Sequence, residues 1–256
     1  MGLTIHWSLK SSLGSRGILA RLGELRSACL DLPFETVGEL VHLRAEDVRT
    51  IRDDREHPLS WALIQAEESI TVEKIGNCTR WLRVPPEELI GLSTWPGEGC
   101  EEANFFLGRF PASIEYEGRL VPTGFSDWTG CSFCKTQYAS NVSIPHFLRC
   151  HVTVIAALDR AKQLGLCERV SDEGGFWKER DLAALSSEVG DWNEMVAGLA
   201  SALGGAGVAA ISSIAEHPDF AALQEAGLKK PTTAACAKKL AEIARRLSPK
   251  PSTPTG

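Results

Sequence analysis

The sequence has no surplus of positive charge: 27 Lys and Arg stand against 33 Asp and Glu, a formal net charge of −6. A broad nucleic-acid surface needs a basic face, so that class of partner is not expected. The dense, even cysteine spacing of a small secreted scaffold is also missing, because eight cysteines are scattered over 256 residues. The opening MGLTIHWSLK has no charged segment followed by an apolar run, so a signal peptide is not expected. Together these features favour reduced thiols and a cytoplasmic protein. No internal repeat is visible.

One stretch, residues 195–215, carries no charge and has the length of a membrane span. Its middle holds Gly204, Gly205 and Gly207, and acidic Glu194 and Glu216 flank it in place of Lys or Arg. Glycines favour a helix stop, and a span is normally anchored by cations. A helix ending near Gly204 is expected, and no membrane span.

What is present is hydrophobic patterning. Leu3, Ile5, Trp7 and Leu9 alternate with Thr4, His6 and Ser8, as in a half-buried strand. Ser15 then offers a helix N-cap, and Ile18, Leu22, Leu25 and Cys29 make a helical stripe. DLPF ends that helix and TVGELVHL alternates again. Further strands are expected at WALIQAE, RWLRV and LIGLSTW. The loop PGEGCEEANFF holds glycines, but Glu98, Glu101 and Glu102 would repel a phosphate, so it reads as a turn.

Beyond Pro122 a helix is expected from His146 to about Leu164, with Phe147, His151, Val154, Ile155 and Leu158 on one face. A short strand runs into the Gly174–Gly175 turn. The longest helix, about 179–203, carries Leu182, Leu185, Val189, Trp192, Val196, Leu199 and Leu203 at spacings that fit a core-facing seam. A short basic helix, AACAKKLAEIARRL, precedes a Pro/Ser/Thr tail expected to be disordered. The mixture predicts an α+β fold, with an antiparallel sheet, packed helices and a ferredoxin-like unit in each half. The expected divisions are 1–121, 122–230 packed on it, and 231–256.

Residues 131–151, CSFCKTQYASNVSIPHFLRCH, concentrate the chemistry. Cys131, Cys134, His146 and Cys150 approximate a zinc pattern of three thiolates and one imidazole, with His146 and Cys150 four apart on one helix. Pro145 places those two ligands in the first helical turns, unlike the usual finger, and buried cysteines also serve as small hydrophobes. A second constellation is catalytic: His151 as acid/base, Asp172 or Glu173 as its orienting carboxylate, Lys135 as an anion holder and Tyr138 beside it. Cys134 or Cys150 could then act as a nucleophile. The acidic pair before two glycines would let backbone approach a ligand closely.

The strings MGLTIHWSL, FCKTQYAS, FLRCH and SDEGGFWKERD resemble a family of uncharacterised bacterial proteins, discontinuously from residue 1 to about 227. The resemblance implies a bacterial cytoplasmic origin and implies no activity, cofactor or catalytic residue. Its pattern begins at Phe133 and leaves Cys131 outside, which weakens any metal set that needs Cys131. The leading expectation is a small-molecule-binding or enzyme-like protein with a polar pocket around His151. The alternatives are a zinc-stabilised, non-catalytic interaction module and a structural or partner-binding protein that uses the 179–203 helix.

Overall fold

The computed structural model describes residues 3–54, 56–57, 59–75, 78–205 and 217–229. The alternation at the start forms β1 (Thr4–Ser11), with Leu3, Ile5, Trp7 and Leu9 in the core. α1 (Ser15–Leu30) follows, capped by the Gly14 backbone with no side-chain cap, so Ser15 is its first residue and not its cap. Its whole buried stripe is Ile18, Leu22, Leu25 and Cys29. The helix stops where the Asp31 N–H turns back to the Ala28 carbonyl and the Leu32 N–H to that of Cys29.

Next come β2 (Thr36–Val37), β3 (Val41–Leu43), α2 (Ala45–Asp53), α3 (Ser60–Ala66) and the hairpin β4 (Glu68–Ile75) with β5 (Cys78–Val84). β6 (Glu88–Trp95) and β7 (Ala103–Arg109) follow, then the hairpin β8 (Ser113–Tyr116) with β9 (Arg119–Pro122). β10 (Trp128–Lys135) leads through a 3₁₀ turn at Gln137–Asn141 into α4 (Ile144–Gln163). The described chain finishes with β11 (Cys167–Asp172), α5 (Phe176–Glu179), α6 (Leu182–Gly205) and α7 (Phe220–Lys229).

The fold is α+β, as the pattern predicts. Its main sheet has the order β11-β1-β10-β7-β6-β2, with β3 also on β6, and these pairs are antiparallel. The expected halves are not separate units. β1 pairs on one side with β10 (Ile5 opposite Cys134) and on the other with β11 (Ile5 opposite Asp172). One sheet therefore crosses the 121/122 boundary, in place of a ferredoxin-like unit in each half. The basic helix and tail expected over 231–256 lie outside the described residues.

α1 and α4 cover one face of the sheet, burying Leu3, Ile5, Phe105, Leu107, Phe147, Val154 and Leu158 in one core. Each such side chain contributes about 1.5–3 kcal/mol when removed from water. On the other face α2 and α3 cover β6 and β7 through Val48, Ile51, Ala62 and Leu63 against Leu89 and Phe106. WALIQAE is thus a helix and not a strand: Ala62, Leu63 and Ala66 share a helical face on that cluster. Over β1, β10 and β11 this second face is open, and Phe133 is 52% exposed there.

Asp181 starts α6 by accepting the N–H groups of Ala183 and Ala184 at 2.8 and 3.0 Å. Leu185, Val189 and Ala197 are buried while Leu182 is exposed. Of the expected seam, Leu185, Val189 and the half-buried Trp192 therefore face the protein's own core. α7 lies close on α6, where a Cβ at Gly198 would come within 2.5 Å of the Gly227 carbonyl carbon. No helix among the described residues is long and apolar enough to cross a membrane. Residues 206–216, the second half of the charge-free stretch, lie outside the description.

Candidate functional site at the end of β10

β10 brings its last residues to the sheet end beside α4. Ser143, extended at φ −175°, caps that helix by accepting the His146 N–H at 3.2 Å, and Pro145 sits in its first turn. The face of α4 turned to the sheet carries Phe147, Cys150, His151, Val154, Ile155 and Leu158, all buried. His151 is the polar break in that face.

Its Nδ1 is hydrogen-bonded, and its Nε2 stands at ion-pair distance from a carboxylate without hydrogen-bond geometry. Nδ1 lies 2.8 Å from Thr136 Oγ1, and Nε2 lies 3.2 Å from Asp172 Oδ1. A proton on Nε2 faces the carboxylate and leaves the Nδ1 lone pair to accept the Thr136 hydroxyl. Asp172 also accepts the Gly174 N–H at Oδ1 (2.9 Å) and the Trp177 N–H at Oδ2 (2.8 Å). Burial pushes its carboxyl up, but the interaction with His151 and the two backbone donors outweigh it and hold it below the usual carboxylate range. Gly174 is needed here: a Cβ would fall 2.6 Å from Leu185 Cδ1 and 3.3 Å from both Asp172 Oδ1 and His151 Cε1.

The order hydroxyl, imidazole, carboxylate is that of a nucleophile, its base and an orienting acid. It is nevertheless sealed. Thr136 and His151 are 0% exposed and the Asp172 side chain 1%. Phe147 and Phe176 pack their rings on the imidazole. A substrate cannot touch these atoms in this conformation, so the cluster acts as an internal post.

Glu173 does not join it. It lies in the turn just past β11, where its Oε2 takes the Thr4 N–H at 2.9 Å. Lys135 and Tyr138 form a second, separate pair. Lys135 Nζ donates to Tyr138 Oη at 3.2 Å and stands 4.5 Å over its ring. They line a pocket of about 710 Å³ with Glu98, Gly99, Cys100, Glu101, Asn141 and Val142. His151 is not among the lining residues, so the expected five-residue pocket divides into a buried post, a rim pair and an outlying glutamate.

The expected zinc set does not gather either. Alternation along β10 turns Cys134 into the core and Cys131 to the open face, so those two thiols lie on opposite sides of the sheet. Among the described residues no group of three or more His, Cys, Asp or Glu could hold a metal ion. Cys134 instead donates to the Glu101 carbonyl at 3.1 Å. His146 and Cys150 do meet, Nε2 to Sγ at 3.6 Å, and their third neighbour is Cys100 from the β6–β7 loop.

That loop is pressed hard against α4 and the 3₁₀ turn. At Gly97 a Cβ would fall 2.7 Å from an Arg149 guanidinium nitrogen and 3.2 Å from Cys150 Sγ. At Gly99, where φ is +76°, it would fall 2.4 Å from the Tyr138 carbonyl oxygen. The glycines in PGEGC thus serve close approach to protein backbone and side chains. Thr136 and Cys100 went unmarked in the sequence, Thr136 because it belongs to no pattern and Cys100 because its loop carries the look of an anion cradle.

On the open sheet face a further pocket of about 650 Å³ is lined by His6, Ser8, Cys131, Phe133, Glu168 and Arg169, among others. The His6 and Phe133 rings lie 5.8 Å apart there. No protein-family model, no curated protein and no solved structure matches the chain.

Proposed function

We propose that the protein binds a small polar molecule in the pocket at the end of β10, in an enzyme-like site. The observation that carries this reading is the Lys135–Tyr138 pair held at the pocket rim by a backbone tied down from behind. Thr136 lies between them in sequence, and its hydroxyl is fixed to His151, which in turn faces Asp172. A contact pair on a segment locked by buried hydrogen bonds is preorganised, which is how a site keeps its geometry when a ligand arrives. His151 and Asp172 are therefore positioning residues, and Lys135 and Tyr138 touch the ligand.

The lining sets the ligand class. Lys135 supplies an ammonium for an anionic group, while Glu98 and Glu101 on the same pocket favour a cationic one. A molecule bearing both an acidic and a basic group suits this mixture. We place the protein in a bacterial cytoplasm, in keeping with the family resemblance and the cysteine pattern.

The test uses the full chain, labelled with ¹⁵N, titrated with glutamate, lysine and γ-aminobutyrate, with acetate and butylamine as single-charge controls. Backbone signals of residues 98–101 and 135–142 should move with at least one amphoteric probe and not with the controls. Lys135→Met should weaken that binding about 10- to 100-fold, the worth of one charged hydrogen bond, with unchanged melting. Binding as tight to the variant as to the parent, or no response to any amphoteric probe, would overturn the reading.

A further inference from the structure

The face of β1, β10 and β11 turned away from α1 and α4 carries a separate constellation. Alternation sends Ile5, Trp7 and Cys134 into the core, so His6 and Ser8 of β1 and Cys131 and Phe133 of β10 point outward. The register sets His6 opposite Phe133 on one side and opposite Ser171 on the other. Adjacent strands run about 4.8 Å apart, and the two rings lie side by side at 5.8 Å with 36° between their planes. Both side chains are exposed, so they form a shallow two-ring platform on interior strands of the sheet. One exposed phenylalanine is ordinary. Two aromatic rings in register on neighbouring interior strands, left bare by the described helices, are not.

Two hollows meet on this platform. One, of about 650 Å³, extends toward β11 and holds Ser8, Glu168 and Arg169. The other, of about 540 Å³, extends toward α3 and the β6–β7 loop and holds Gln65, Glu101 and Glu102. Phe133 belongs to both, so the trough is continuous across its ring.

A planar ligand suits the floor, and the walls choose among planar ligands. Gln65 Oε1 accepts the amide N–H of buried Asn104 at 2.6 Å. With its oxygen committed, Gln65 offers a ligand its NH₂ group, whereas Glu102 in the same hollow offers acceptors alone. Guanine answers both: a carbonyl for the Gln65 amide, and two adjacent N–H donors that fit the two oxygens of one carboxylate. Adenine has a single donor group on that edge. At the other end Ser8 donates to Glu168 at 3.4 Å and holds that carboxylate over β1, where it can accept sugar hydroxyls, as carboxylates do for ribose. Charge disfavours a polynucleotide, because Glu101, Glu102 and Glu168 line the trough against Arg169, and a phosphate backbone needs a basic track.

We propose that this open sheet face binds a nucleoside, guanosine in preference to adenosine. The base stacks on Phe133 and His6, its edge lies between Gln65 and Glu102, and its ribose hydroxyls reach Glu168. Stacking on exposed aromatic rings supplies much of the affinity. The trough lies across the sheet from His151 and shares Glu101 alone with the pocket at the end of β10. It therefore stands whether or not the ligand class proposed above is right.

The test titrates the ¹⁵N-labelled full chain with guanosine, 2′-deoxyguanosine, adenosine and a mixed-sequence RNA decamer. Backbone signals of residues 6–8, 131–133 and 168–171 should move with guanosine. Adenosine and 2′-deoxyguanosine should each bind about 10-fold more weakly, the worth of one hydrogen bond to a charged group. Phe133→Ala should weaken guanosine about 5- to 150-fold, the worth of one base–aromatic stack. Its side chain is 52% exposed, so melting should stay at the parent value. Glu102→Gln, at another exposed position, should bring guanosine down to the level of adenosine. Guanosine that leaves those signals in place, binds Phe133→Ala as tightly as the parent, or binds no better than adenosine overturns the proposal. So does an RNA decamer that outcompetes the nucleoside, which would assign the face to nucleic acid.

Discussion

Replacing Asp172 by Asn tests the buried post directly. The carboxylate presents acceptors to three groups: the Gly174 and Trp177 N–H groups at 2.9 and 2.8 Å and the His151 ring at 3.2 Å. An amide of the same shape turns one of those acceptors into a donor, so at least one buried donor faces another. An unsatisfied buried donor costs about 1–3 kcal/mol, and removing one partner of a buried pair costs about 3–5 kcal/mol. A loss of about 3 kcal/mol is expected. With a urea slope of about 3 kcal/mol/M, the unfolding midpoint at pH 7 should fall by roughly 1 M. The pH dependence supplies a second reading. The folded-state pKa of Asp172 is depressed, so its contribution is full above the unfolded value of about 3.9 and is lost as pH falls through the folded value. The gap between parent and variant should therefore be widest near neutrality and close below about pH 4. A gap under about 1 kcal/mol at pH 7, or one that widens on acidification, refutes the reasoning.

Thr136→Val keeps the side-chain shape but leaves His151 Nδ1 without its 2.8 Å partner. Urea unfolding should show a loss of about 1–3 kcal/mol, and an unchanged midpoint would remove the post from the account. Gly99→Ala puts a Cβ 2.4 Å from the Tyr138 carbonyl oxygen at a φ of +76°. A strained position of this kind costs about 1–3 kcal/mol, so calorimetry should show melting lowered by several degrees; unaltered melting would show that the loop relaxes freely.

What could be read in advance followed the physics of one-sided burial. β1, α1 and α4 each face water on one side, so their apolar residues recur at the period of the element and the pattern is visible. β7 is buried on both faces, with Ala103 through Gly108 all inside. It shows no alternation, so its first residues look like the tail of a loop. The residues of α3 include strand formers, and only packing on Leu89 and Phe106 makes them helical.

The candidate site was legible to the same degree. A histidine on an apolar helix face, with an acidic pair before two glycines, pointed to the His151–Asp172 contact. Nothing local chose Asp172 over Glu173, because that depends on where β11 ends against the helix. The zinc pattern failed for a related reason: a strand separates residues three apart to opposite faces, so the spacing from Cys131 to Cys134 cannot converge. The thiol that does meet Cys150 lies fifty positions earlier, beyond the reach of any spacing rule.

The placement of β1 has a temporal consequence for synthesis. Its two neighbours are made late: Thr4 is opposite Lys135, and Ile5 is opposite Asp172. At roughly 5–20 residues per second, the first strand leaves the ribosome many seconds before either partner exists. During that interval Leu3, Ile5, Trp7 and Leu9 have no sheet to join, although α1 is already available to shelter them. The nascent chain therefore passes through a stage in which an apolar strand with two open edges must be kept from its neighbours on the polysome. Both edges of β1 are paired only after residues 128–172 have been made.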